Sequence, residues 1–307
     1  MPPAAIAFLP GKGETIGAQL VNDLRVDGIA FTGGTNTARA INTALAKRAG
    51  AIIPFIAETG GLNAMIADSS ALPEQVVNDV MVSAFNSAGQ RCSALRILCV
   101  QRDIAERVKT LLAGAMNEIV MGDPAELATD IGPVIDRAAV DMLIKHREHM
   151  AKNYPQIGQV KHPQASRASL EKGNFFAPCA FEIPTFDTIK SEVFGPILHV
   201  FAFDADDLMA VVDQINASGY GLTLGIHSRI EETISAIRAR AMVGNVYVNR
   251  NQVGAVVGVQ PFGGEGLSGT GPKAGGPHYL FRFASERTFT VNTAAAGGNA
   301  ALIAASE

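Results

Sequence analysis

The chain has 307 residues, 48% hydrophobic and 18% charged, with 29 acids against 25 bases. That balance supplies a large buried core and excludes general disorder. With no basic excess, no Trp and 6% aromatics, it carries neither the electrostatic nor the stacking footprint of a nucleic-acid binder.

Taken in chain order, strand and helix patterns alternate. Residues 27–32 read as a short strand ending in Gly33-Gly34. Thr35 to Ala49 follows as a helix with Ala38, Ile41 and Leu45 at helical spacing, ended by Gly50. Ala51 to Ala57 is a second apolar strand, with Pro54 marking an edge or a bulge. A third run, Asn63 to Ala67, precedes a helix starting at Pro73, whose apolar stripe is Val76, Val77, Val80, Met81 and Ala84. Arg96 to Gln101 is a strand, and Asp103 with Glu106 has capping-box spacing for the next helix. A polar stretch then holds one helix near Arg137 to Lys152 and a surface loop after Asn153. Further on come a strand at Leu198 to Phe203, a helix at Asp206 to Ala217 stopped by Gly219, and a strand at Leu222 to His227. Ser228 and Glu231 form a second capping box, and Gly244 to Asn249 is another strand. A Gly/Pro-rich loop covers 255–276, and Arg287 to Asn292 alternates like an exposed strand in need of a partner. This alternation predicts an α/β fold with a largely parallel sheet.

The 31 glycines, about 10% of the chain, cluster around the residues capable of chemistry. Three cysteines, Cys92, Cys99 and Cys179, form no disulfide framework and no metal-ligand spacing, so no metal is expected. Their odd number fits a reducing compartment. The start of the chain lacks a signal-peptide pattern and no apolar run reaches the ~18 residues of a membrane span, so a cytoplasmic protein with no membrane partner is expected.

Cys92 sits in NSAGQRCS, a Gly-containing polar loop between a helix and a strand, unlike Cys99 in its apolar run. A reactive thiol needs exposure and a lowered pKa, and adjacent Arg91 is a candidate cation. On its surroundings alone, inert packing is the plainer reading. Glu58, in AETGG, lies just off a strand end, where a desolvated carboxylate serves as a general base; a loop cap is the plainer alternative. Phe31 to Thr35 places glycines at a strand–helix turn, a weak phosphate signal. GKGET at 11–15 is too short for a P-loop. EVFGP at 192–196 is an ordinary turn by composition, and 254–264 is either a substrate-gripping loop or a packed crossover.

Together FTGGT, AETGG, SAGQRC, EVFGP and PFGG, in this order, resemble the motifs of the NAD(P)-dependent aldehyde dehydrogenase superfamily. The longer stretches LPGKGETIG, NQVGAVVGVQPFGGEGLSGTGPKAGGP and TVNTAAAGGNAAL resemble the L-glutamate γ-semialdehyde dehydrogenase half of bifunctional proline utilization A enzymes. The resemblance runs from about Leu9 to the chain's end. It implies an aldehyde dehydrogenase-like α/β fold: the C-terminal part of a Rossmann-type NAD-binding domain (1–60), a catalytic domain (61–268) and a C-terminal return with an oligomerisation strand (269–307). It also implies a homodimer, and a proline dehydrogenase half in a full-length protein.

The resemblance further implies roles. Cys92 is the nucleophile and Glu58 the base that activates water. Gly33, Gly34 and Thr35 lie by the pyrophosphate of NAD, Glu192 by its nicotinamide ribose and Phe194 by the nicotinamide. Ser93, Gly254 and Ala255 anchor the substrate carboxylate, and Phe262 packs on its methylene chain. The implied reaction takes L-glutamate γ-semialdehyde to glutamate.

Two departures stand out. Gly34 replaces the family's usual Ser, with the loss of one hydroxyl. The resemblance also starts partway through the cofactor domain, upstream of which the family has an oxyanion-hole Asn and an adenosine-ribose Lys. The isolated chain is therefore expected to be a poor catalyst, with an exposed sheet edge. Alternatives are a non-catalytic binding or oligomerisation module, or a dehydrogenase of another aldehyde. Ser93 in the anchor set favours an acidic substrate.

Overall fold

The segments Ile97–Gln101 and Ile197–Phe203 are apolar on both faces, a pattern that suits strands covered by helices on either side. In the structure, a computed structural model that describes residues 2, 5–160, 173–256, 258–292, 301, 304 and 305, they lie side by side at the centre of a seven-stranded sheet. Its strands are β3 (Ala64–Ala67), β4 (Ile97–Gln101), β5 (Gln156–Gln159), β6 (Cys179–Glu182), β7 (Ile197–Phe203), β9 (Thr223–His227) and β10 (Asn245–Val248), in the order β10-β9-β3-β4-β7-β6-β5. All neighbours run parallel except β5, which is antiparallel to β6. Every residue of β3, β4 and β9 is buried.

Helices α3 (Pro73–Phe85), α4 (Arg102–Asn117), α5 (Arg137–Asn153), α6 (Leu208–Ala217) and α7 (Glu231–Arg240) cover this sheet. The expected stripe of α3 holds: Val76, Val77, Val80 and Ala84 are buried, with Met81 packed at the margin. Burying side chains of this size contributes about 1.5–3 kcal/mol each.

A second, two-stranded parallel sheet pairs β1 (Ile29–Thr32) with β2 (Phe55–Glu58). It carries α1 (Ala18–Asn22) and α2 (Thr35–Lys47). Strand β2 begins only after Pro54, whose carbonyl accepts from Ile29 N–H at 3.0 Å. Ile6, Phe8, Leu9 and Ile52 are exposed. Residues 267–270 run along the free edge of β2: Ala57 and Thr270 exchange hydrogen bonds, and Thr59 N–H donates to Ser268 O at 3.0 Å. Part of the Gly/Pro-rich loop is thus paired backbone, including β11 (Glu265–Gly266) against β8 (Tyr220–Gly221).

Several expectations need correction. Neither capping box forms. The chain passes from β4 directly into α4, so Gln101 is the N-cap residue, and Asp103 accepts from Gln101 Nε2 at 2.7 Å. Ser228 is drawn away by the Asp68 carboxylate, to which its hydroxyl donates, and α7 starts behind Ile230. The expected loop after Asn153 contains β5 and leads to β6, a short Cys-Ala-Phe-Glu run between Pro178 and Pro184. Residues 161–172 of that loop and most of the TVNTAAAGGNAAL segment lie outside the described residues. Among the described residues no strand covers 287–291, where Phe289 and Val291 are exposed.

Candidate active site

The two sheets meet where β2 ends and β3 and β4 begin. Glu58 is the last residue of β2, so the carboxyl-end rule for open sheets holds for it. Cys92 and Glu192 precede β4 and β7, and so arrive at the amino ends of the large sheet. A cavity of about 670 Å³ lies between them. Every expected site residue except Thr35 borders it: Gly33, Gly34, Glu58, Cys92, Ser93, Glu192, Phe194, Gly254, Ala255 and Phe262. Thr35 faces the other way, donating from its hydroxyl to Leu267 O at 3.3 Å, because the first turn of α2 rotates it off the cavity.

The loop carrying Cys92 is held in an uncommon conformation. Ser87, Ala88 and Gly89 are consecutive left-handed residues, with φ of 55°, 53° and 63°. For non-glycine residues this costs on the order of 1 kcal/mol or more each and persists only where surroundings enforce it. Gly89 admits no side chain, since a Cβ would lie 2.3 Å from Gly195 O. Below the loop the buried Asn63 donates from Nδ2 to Cys92 O at 2.6 Å and to Ala94 O at 2.9 Å, while its Oδ1 accepts from Thr223 N–H at 3.2 Å.

Burial pushes the Cys92 thiol above its ordinary pKa, and the nearby Glu192 and Glu58 charges add to this. The backbone N–H groups of Ser93 and Cys92 work in the opposite direction. The expected lowering is therefore absent, and Arg91 does not supply it: its Nε donates to Ser87 Oγ at 3.1 Å. Glu58 is also pushed up by burial, to about 7, against the opposing pull of the Gly264 N–H and the Lys273 charge. Its Oε2 accepts weakly from Gly264 N–H at 3.4 Å; its buried Oε1 has no hydrogen-bond partner among the described residues. Gly263 is what leaves room for this carboxylate, since a Cβ there would sit 2.6 Å from Oε1.

Glu192 is paired with Arg96 at 2.9 Å, a residue that sequence reasoning passed over as the first position of an apolar strand. A charged residue heading an otherwise apolar strand was the available signal. Asn63 had none beyond its place two residues after Gly61.

The Gly33-Gly34 end of the cavity suits a phosphate. Gly34 is extended ahead of α2, and no side chain caps that helix's first turn. A Cβ at Gly34 would meet nothing within 4 Å, so the missing Ser leaves open space and not a distorted turn. With Glu192 and the half-exposed Phe194 alongside, these residues fit the nicotinamide and pyrophosphate portions of a dinucleotide.

Residues 1–289 match the model of the aldehyde dehydrogenase family, and the chain belongs to that family. Among curated relatives, the bifunctional protein PutA of Escherichia coli (strain K12) is 55% identical over 291 residues, covering 94% of this chain and 22% of PutA. The 1-pyrroline-5-carboxylate dehydrogenase of Geobacillus thermodenitrificans is 34% identical over 297 residues, which is 94% of this chain and 55% of that protein. The chain thus spans about a fifth of the PutA relatives and about half of the 1-pyrroline-5-carboxylate dehydrogenase. Among solved structures, a variant of Bradyrhizobium japonicum proline utilization A superposes with a TM-score of 0.90 at 54% identity over 97% of this chain and 30% of that one. A 1-pyrroline-5-carboxylate dehydrogenase from Thermus with bound NAD gives 0.83 at 35% identity, over 92% and 54%. No helix among the described residues is long and apolar enough to cross a membrane.

Proposed function

We propose that the chain carries the nucleophile, base and substrate-anchor region of an NAD-dependent L-glutamate γ-semialdehyde dehydrogenase. The observation that carries this reading is the convergence of Cys92, Glu58, Glu192 and the 254–255 turn on one cavity. The identity to PutA and to 1-pyrroline-5-carboxylate dehydrogenases supports the substrate, and the NAD bound to the Thermus relative supports the cofactor.

Cys92 Sγ attacks the aldehyde carbon and a thiohemiacetal forms. Its oxyanion lies within reach of the Cys92 backbone N–H, which favours the charge as it develops. NAD, when bound, serves as the hydride acceptor that takes the adduct to the thioester level. Gly33, whose N–H donates to Glu58 O at 3.1 Å, sets the turn, and the uncapped first turn of α2 behind Gly34 would receive its pyrophosphate, while Glu192 would accept from its ribose hydroxyls and Phe194 would pack against the nicotinamide. Glu58, with a pKa near 7, is partly ionised at neutral pH and takes a proton from the water that hydrolyses the thioester. Covalent capture splits one difficult step into two. At the far end, Ser93 and the N–H groups of Gly254 and Ala255 receive the substrate carboxylate. Gly254, at φ of 76°, turns the backbone toward it, and Phe262 covers the methylenes. The three-part division at residues 60 and 268, the homodimer and the link to a proline dehydrogenase half belong to the same proposal.

The test is a single-turnover experiment. Glu58→Gln incubated with pyrroline-5-carboxylate and NAD+ retains an acyl group on Cys92, seen by intact mass, whereas the wild-type chain releases glutamate. No acyl mass in either protein, or acylation that survives Cys92→Ala, would overturn the proposal.

A further inference from the structure

Arg96 is buried to 1% exposure in the wall between the two segments that form the site. Nη1 donates to Gly89 O at 2.8 Å and Gly195 O at 3.2 Å; Nη2 donates to Arg91 O at 3.2 Å and Glu192 Oε1 at 2.9 Å. The guanidinium also lies over the Phe194 ring, 5.2 Å from its centroid. Two of its acceptors, Gly89 and Arg91, belong to the loop that carries Cys92. The other two, with Phe194, belong to the 192–196 segment. One side chain therefore fixes the nucleophile's loop against the cofactor-facing residues.

Taking a guanidinium out of water costs several kcal/mol, and an apolar residue of similar volume is often neutral or stabilising in its place. Its retention calls for a role beyond packing. The charge inventory around Cys92 supplies one. Glu58 faces it from β2, Glu192 from the segment before β7 and the Tyr247 phenol from β10. Arg91 is turned to Ser87, and Lys273 is occupied with Gly244 O and Asn245 Oδ1 on the Glu58 side. Arg96 is the cation that meets Glu192.

We propose that Arg96 is a positioning residue that sets the charge at the nucleophile: it neutralises the Glu192 carboxylate beside Cys92 and holds the loop carbonyls, so that the thiol ionises in place. This rests on the reading of Cys92 as the nucleophile. The Glu192 charge raises the Cys92 pKa, and the Arg96 guanidinium pulls Glu192 down against its burial, so the directions agree.

The test is alkylation of the full chain by iodoacetamide across about pH 6–10, scored on the Cys92 peptide. Thiolate Sγ bonds to the reagent's methylene carbon, the C–I bond breaks, iodide leaves and the thiol proton goes to water. Cys99 and Cys179 are fully buried and remain unlabelled in the folded chain. Arg96→Met moves the alkylation midpoint upward by about one pH unit, a roughly tenfold lower rate on the rising limb. Glu192→Gln moves it downward, and Arg96→Met combined with Glu192→Gln returns it toward wild type. Arg96→Lys, which keeps the charge and loses the fork, restores most of the midpoint. A purely structural Arg96 predicts no upward shift in Arg96→Met and no rescue in the double variant, and either result overturns the proposal. If Arg96→Met does not fold, the uncharged Arg96→Gln, which can still donate to the loop carbonyls, takes its place beside Arg96→Lys, and equal midpoints in these two variants overturn the proposal. A folded wild-type chain whose Cys92 resists alkylation at every pH would instead remove the nucleophile reading, and this proposal with it.

Discussion

The Glu192 carboxylate occupies the space that a side chain at Gly60 would need: a Cβ there would lie 1.6 Å from Glu192 Oε2. A free carboxylate would swing aside at little cost, but this one is tied to Arg96. The segment from Glu58 to Gly61 and the 192–196 segment are thus built around each other.

Gly60→Ala forces Glu192 off Arg96 and is expected to lower stability by about 1–3 kcal/mol, the range for a charged hydrogen bond lost in a buried setting. Gly34→Ala, into open space at φ of −75°, is expected to stay within about 0.5 kcal/mol. Urea unfolding of the two variants measures the contrast. Equal effects would contradict it.

Asn63→Ala removes two donors from the Cys92 and Ala94 carbonyls and an acceptor from Thr223 N–H. Because the site is buried, a loss of about 2–4 kcal/mol is expected, with the Cys92 loop freed from below. Thermal unfolding and hydrogen exchange at residues 92–95 check this.

Glu58 has a folded pKa of about 7, raised by burial from 4.5. A carboxyl raised on folding stabilises the protonated state, so its contribution is fully present below about pH 4.5 and is lost as pH rises through 7. Glu58→Gln is therefore expected to match wild type in acid and to exceed it by about 1–2 kcal/mol above pH 8, allowing for partial solvent screening. A pH series of denaturant unfolding, wild type against variant, reads the difference. A constant difference across pH would contradict the shift.

His146 and His199 give the opposite slope. His199 Nδ1 lies 3.1 Å from Arg96 O, a carbonyl that only accepts, so Nδ1 carries the proton and Nε2 accepts from His146 Nε2–H at 3.0 Å. Burial pushes His199 down to about 3 and His146 to about 4, so the pair is neutral when folded and protonates when unfolded. Stability from this pair is present above about pH 6.5 and falls as pH drops toward 4. His199→Phe removes part of that slope while losing the hydrogen bonds. Acid titrations of the two proteins followed by circular dichroism test it.

Much of this arrangement was legible in the sequence. Apolar runs located the central strands, and Gly-flanked polar residues marked Glu58 and Cys92. What stayed hidden was relational. Capping boxes failed because Asp68 competes for Ser228 and because β4 feeds α4 without a turn. β6 is short and draws its identity from β7 alongside, and β5 in turn from β6. Arg96 and Asn63 gain meaning only from the loop folded over them, and no spacing in the sequence brings Arg96 to Glu192, 96 positions away.

The central claim is that Cys92 is the group that meets a carboxylate-bearing aldehyde in this cavity. The most direct measurement is the rate of Cys92 alkylation by iodoacetamide as pyrroline-5-carboxylate is added without cofactor, with propanal as a comparison lacking the carboxylate. Saturable protection by pyrroline-5-carboxylate at concentrations where propanal has little effect is the predicted result. Equal protection by both would contradict the proposed substrate anchor at Ser93, Gly254 and Ala255, and protection by neither would contradict the proposed role of Cys92.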